Sequence, residues 1–91
     1  MQSCLIIPCH NEARRLDRKA VEVFIQSTPT IDLMMVDDGS VDSTAEVLQA
    51  LKSTTSGRLH VLCLASNQGK AEAVRAGVHA VLALNRFDVV G

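Results

Sequence analysis

Three short polar clusters interrupt an otherwise aliphatic chain: His10-Asn11-Glu12, Asp37-Asp38-Gly39-Ser40 and Asn67-Gln68-Gly69-Lys70. Their carboxylates and amides can grip a polar ligand, and their glycines let backbone approach it closely. Lys70 stands where a third helix should begin. A cation there works slightly against the helix dipole, which points to an anionic ligand. The adjacent pair Asp37-Asp38 follows the apolar run Leu33-Met34-Met35-Val36 without transition. Two neighbouring carboxylates repel, and would cost stability if both were buried. Each cluster also has a plainer reading. Asp, Gly and Ser suit turns and helix starts, Asn11 and Glu12 suit loop closure, and Glu72 with Arg75 suits a weak surface ion pair.

Several other chemistries lack their residues. Ser40 and Ser43 have no His-Asp partners and no GxSxG elbow, which argues against a hydrolase triad. No GxGxxG follows the first apolar run and no P-loop pattern occurs, which argues against a dinucleotide dehydrogenase or an NTPase. His60 and His79 have no metal-ligand spacing and are expected to be structural or exposed. Cys4, Cys9 and Cys63 form no CxxC pair and read as reduced packing cysteines of a cytosolic protein.

The elements that must position the clusters alternate regularly. Ser3 to Ile7 reads as a strand closed by Pro8, which has no amide donor. Asp17 is a candidate N-cap for a helix with Ala20, Val21, Phe24 and Ile25 on one face. Leu33 to Val36 reads as a strand buried on both faces, as in parallel sheets. A capping-box pattern, Ser43 to Glu46, opens a second helix that buries Thr44, Val47, Leu48 and Leu51. Leu59 to Leu64 is the third strand. The third helix is expected to bury Ala71, Val74, Val78, Val81 and Leu82, and Asp88 to Val90 begins a fourth strand. The order β-α-β-α-β-α-β predicts an α/β fold with three α/β/α layers, a parallel sheet and right-handed crossovers. Ligands bind outside the carboxyl ends of such strands, where all three clusters fall. They should converge on one rim.

Composition narrows the partners. The chain has 91 residues, a formal net charge of -1, no Trp, no Tyr and two Phe, so its core must be aliphatic and its size is that of one domain at most. Without a basic-aromatic pattern, nucleic acid is a poor partner. No secretory signal and no stretch of transmembrane length is present, so a cytoplasmic location is expected. The chain opens on a strand and closes on the start of another at Phe87 to Gly91, and residues 1–91 are therefore expected to be the first portion of a larger domain.

Taken together, "LIIPCHNEARRL", "LMMVDDGSVDSTAEVL" and "NQGKAEAVRAG" resemble, in order and spacing, the N-terminal half of family 2 glycosyltransferases with the GT-A fold, particularly the dolichyl-phosphate mannose/glucose synthase branch. The resemblance covers nearly the whole chain. It implies a Rossmann-like nucleotide-binding half with strand order 3-2-1-4, in a protein that transfers a sugar from a UDP- or GDP-sugar to an acceptor such as a polyprenyl phosphate. Pro8, His10 and Glu12 would then lie beside base and ribose. Asp38 would accept the N–H edge of the base, with Asp37 supporting that loop and Gly39 counted among the nucleotide-binding residues. Gly69 and Lys70 would approach the nucleotide, and Arg75 would complete the neighbourhood. His10 replaces the usual Tyr, and Ala71 replaces a frequent Gly. The family's DxD motif, which holds Mg or Mn against the donor diphosphate, would lie beyond Gly91. No metal ligands or catalytic residues are therefore expected within this chain, which alone should be inactive. Strand order 3-2-1-4 would also leave Val89 and Val90 at an open edge, where self-association is expected. Two other readings compete: a non-catalytic nucleotide-binding α/β module, and a response-regulator-like domain. The latter needs an Asp after the third strand, where the sequence has Ala65-Ser66-Asn67.

Overall fold

The unbroken apolar run Leu33 to Val36 lies at the centre of the molecule, within the strand β2 (Ile31–Asp37), buried from Asp32 to Asp37. A computed structural model describes residues 2–91. The remaining elements are β1 (Ser3–Cys9), α1 (Arg18–Ser27), α2 (Thr44–Ser53), β3 (Leu59–Cys63), α3 (Lys70–Leu84) and β4 (Val89–Val90). All strand pairs are parallel and their order is β3-β2-β1-β4. The register sets Cys9 and Cys63 on either side of Asp37, so the loops after β1, β2 and β3 leave the sheet at one level.

Side-chain alternation along β2 divides the core in two. Leu33 and Met35 pack with Ile25 of α1, with Val47, Leu48 and Leu51 of α2, and with Leu59. Met34 and Val36 face the other way, onto Cys4 and onto Ala73 and Val81 of α3. Two helices thus cover one face and one helix the other, which gives the three layers. A fully buried Leu or Met at such a position contributes roughly 1.5–3 kcal/mol.

The sequence reading needs correction at four places. Pro8 does not close β1, which runs on to Cys9. Amides of alternate β1 residues point to opposite neighbours: Ser3 donates to Thr30 on the β2 side, and Ile6 donates to Gly91 on the β4 side. Pro8 shares the parity of Ile6, so its missing donor falls on the β4 side and leaves the ladder to β2 unbroken. The capping box at Ser43 does not form either. Ser43 makes no side-chain cap bond, and Asp42 instead accepts from the Thr44 amide (2.9 Å) and hydroxyl. α3 buries Ala73, Gly77 and Val81, while Ala71 and Leu82 are exposed. The cause is close approach, because a Cβ on Gly77 would lie 2.7 Å from Ile6 Cγ2 and 2.8 Å from Val36 Cγ2. Finally, β2 extends to Asp37, so this carboxylate belongs to the strand and not to the loop.

At the amino ends of the strands a polar network ties the base of the sheet. Asp32, 1 % exposed, accepts from Gln2 Nε2 (3.0 Å) and Arg58 Nε (3.4 Å) and lies 2.9 Å from His60 Nε2. Arg58 also donates to the carbonyls of Ile25, Thr28 and Ile31. The His60 ring meets Phe87 edge-on, whereas His79 is exposed. A buried carboxylate with this many partners avoids the penalty of an isolated charge.

Candidate functional site

Each strand's carboxyl end delivers one polar loop to the same rim, and each loop holds a residue in the left-handed region: Asn11 (φ 52°), Gly39 (φ 63°) and Gly69 (φ 94°). The loops are tied in series. Asn11 donates its amide to Ser40 Oγ (2.9 Å), and its Oδ1 accepts from the Val41 amide (3.0 Å). The Glu12 amide donates to Thr44 Oγ1 at 2.9 Å.

The adjacent carboxylates connect the rest. Both are buried, Asp37 at 4 % and Asp38 at 3 % exposure, the arrangement whose repulsion the sequence marks as costly. They are tolerated because each accepts backbone amides of a different loop. Asp37 Oδ1 takes the Ser40 amide (3.1 Å), while Asp38 Oδ1 and Oδ2 take the amides of Gln68 (2.7 Å) and Gly69 (3.0 Å). Asn67 Nδ2 adds a 3.3 Å bond to the Asp38 carbonyl. Gly39 completes this junction: a Cβ there would lie 2.3 Å from Asn67 N and from the Ser66 carbonyl carbon.

Above the tied loops lies an open depression of about 360 Å³, lined by Pro8, Cys9, His10, Glu12, Asp38, Asn67, Gly69 and Lys70. Glu12, Asp38 and Lys70, from three separate loops, therefore share one wall system. Asp37 and Gly39 lie behind it as supports. Arg75 is not brought to it: its guanidinium is on the surface of α3, 3.9 Å from Glu72, and both side chains are more than half exposed. Cys9 and Asn67 line the depression without having been singled out. Their signal was position, since Cys9 follows Pro8 on the strand end and Asn67 belongs to the third cluster. Burial, reinforced by the charges of Glu12 and Asp37, pushes the Cys9 thiol up to about 11, so it is a neutral wall and not a nucleophile at neutral pH.

The chemistry available here is recognition. A half-buried carboxylate, a carboxylate still holding free lone pairs, an imidazole, a backbone turn and an ammonium group line one open depression. Residues 4–83 match the model of the family "Glycosyl transferase family 2". The chain belongs to glycosyltransferase family 2. Among its curated relatives in this family, the dolichyl-phosphate beta-glucosyltransferase of Mus musculus is 34 % identical over 86 residues, covering 85 % of this chain and 26 % of the relative. The mannosyltransferase PcManGT of Pyrobaculum calidifontis, solved with GDP-Man and Mn2+, superposes with a TM-score of 0.73 at 22 % identity, over 87 % of this chain and 24 % of that one. S. aureus TarS 1-349 in complex with UDP-GlcNAc gives a TM-score of 0.57 at 20 % identity, over 84 % and 23 % of the two chains. These structures establish the GT-A fold. The chain spans between 23 % and 36 % of the length of the curated relatives it matches.

The mannosyltransferase complex holds Mn2+, and a divalent cation here would need convergent oxygen or nitrogen ligands. Among the described residues no group of three or more His, Cys, Asp or Glu side chains could hold a metal ion. Asp37 and Asp38 are turned onto amides, and Glu12 Oε1 pairs with Arg15 at 2.9 Å. These carboxylates do not fit a cation site by themselves, since Mg²⁺ or Mn²⁺ needs several convergent oxygens.

Proposed function

We propose that this chain is the nucleotide-binding portion of a glycosyltransferase, the whole protein moving a sugar from a UDP- or GDP-sugar to an acceptor. The observation that carries this is the convergence of Glu12, Asp38 and Lys70 on one depression in a family 2 fold. In this reading Pro8 and His10 form the wall against base and ribose, the imidazole stacking with less area than a phenol ring would. Asp38 uses its remaining lone pairs for the ring N–H of the base, and Glu12 accepts a ribose hydroxyl. Gly69 lets backbone approach the nucleotide, and Lys70 faces its phosphates. Asp37 and Gly39 hold the second loop in place.

The cation site and the groups that activate the acceptor belong, on this reading, to the part of the family's length that this chain does not span. Alone, the chain binds without transferring. A polyprenyl phosphate is the proposed acceptor, supported by the name of the mouse relative, and the work would be done at the cytoplasmic face of a membrane. No helix among the described residues is long and apolar enough to cross one.

Calorimetric and NMR titration with UDP, GDP and their sugars tests the reading. Amide shifts should cluster at His10, Glu12, Asp38, Gly69 and Lys70. Shifts confined to residues away from Asp38 and Lys70 would sink it. The open side of β4, where Val89 is 49 % exposed, is proposed as a self-association edge. Light scattering should show mass rising with concentration, and a constant monomer mass is the contrary result.

A further inference from the structure

We propose that Asn11 is a positioning residue, setting the directions in which His10 and Glu12 face the depression. The inference deepens the nucleotide-binding reading and rests on it. Sequence reading assigned Asn11 nothing beyond loop closure. In the structure it stands between two wall residues but does not line that depression, its own side chain facing a neighbouring one with Ala13, Arg14 and Asp42. Its backbone sits at φ 52°, a region that costs most L-residues about 1–2 kcal/mol but that Asn and Asp enter more readily.

Two reciprocal bonds hold it there. Its amide donates to Ser40 Oγ and its side-chain oxygen accepts from Val41, while Asp37 orients Ser40 through the Ser40 amide. The next amide, on Glu12, is fixed by the buried Thr44 hydroxyl. Thus the direction of the first loop is dictated by the second, with Asn11 as the joint. Moving Asn11 to the extended region would rotate the peptides on both sides and carry His10 and Glu12 out of register with Asp38 and Lys70. No residue type except Asn or Asp supplies both the left-handed backbone and the short acceptor. Gly supplies only the first, and a β-branched residue neither.

Three variants of the 91-residue chain separate these properties: Asn11→Asp, Asn11→Gly and Asn11→Val. Affinity for UDP and GDP is measured by calorimetry, with the melting temperature and the exchange rates of the Glu12 and Val41 amides alongside. The Asp variant should stay within about threefold of wild type, and the Gly variant should lose about tenfold, the worth of one to two hydrogen bonds. The Val variant should lose more. The Val variant should also melt several degrees lower, since the left-handed backbone costs it about 1–2 kcal/mol, whereas the Asp and Gly variants should melt near wild type, and Val41 exchange should quicken in the Gly and Val variants only. Wild-type affinity in the Gly or Val variant, or equal losses in the Asp and Gly variants, overturns the proposal. If wild type binds neither nucleotide, the functional reading fails. Amide exchange then decides on Asn11 alone: unchanged Val41 and Glu12 rates in the Gly variant refute the joint, and faster rates uphold it.

Discussion

A carboxylate that accepts two backbone amides from another loop is difficult to replace, and Asp38 is in that position. Asn offers one acceptor and turns an NH₂ group toward the amide of Gln68 or Gly69. We therefore expect Asp38→Asn to cost about 1–3 kcal/mol in urea unfolding, in addition to weakening nucleotide binding, because a buried donor is left unpaired. Unchanged stability would mean that the tie between the second and third loops contributes little. The doublet Asp37-Asp38 was legible in the sequence as a place where chemistry gathers, since charges rarely interrupt a buried strand. Its main duty in the fold was not legible. Which amides a carboxylate meets depends on two other loops, and a single strand's sequence does not contain them.

At the scale of elements, the common rim follows from the β-α alternation and the strand order 3-2-1-4 from the family resemblance, and the structure agrees with both. Boundaries and faces were harder. Helical spacing predicts a buried face of Ala71, Val74, Val78, Val81 and Leu82, but the helix lies on the sheet along Ala73 and Gly77, where the smallest side chains allow the closest approach. Gly77→Ala should accordingly destabilise by about 1–3 kcal/mol through overpacking, only partly offset by the helix preference of Ala. Denaturant midpoints check this, and a stabilised variant would show that α3 can lift off freely. At the start of α2 the spacing from Ser43 to Glu46 predicts a capping box, which the structure does not form. The Thr44 hydroxyl and amide select Asp42 and hold its carboxyl below the usual range. Asp42→Ala should lower the melting temperature while Ser43→Ala leaves it in place; the reverse order would restore the capping box.

For the molecule as a whole, burial pushes the thiols of Cys4 and Cys9 from 9.0 up to about 11, helped by Asp32 beside Cys4 and by Glu12 and Asp37 beside Cys9. Unfolded thiols ionise first as pH rises, so between these values the folded chain binds more protons than the unfolded one. Their contribution to stability is complete below pH 9.0 and fades as pH climbs toward about 11. Urea midpoints in reducing buffer should fall across that window, and a flat profile would contradict the assignment. The Asp32, Arg58 and His60 network was invisible in the sequence for a related reason. Its members lie on different elements, and only the assembled sheet makes them neighbours.

Ser56 and Gly57 turn at the amino end of β3, on the pole opposite the rim, and Ser56 is an exposed side chain already accommodated at φ 56°. That vacant pole is a natural anchorage for surface immobilisation or for a fluorescent label. Attached there, a sensor built on this chain would present its rim outward, with every loop of the recognition surface left untouched.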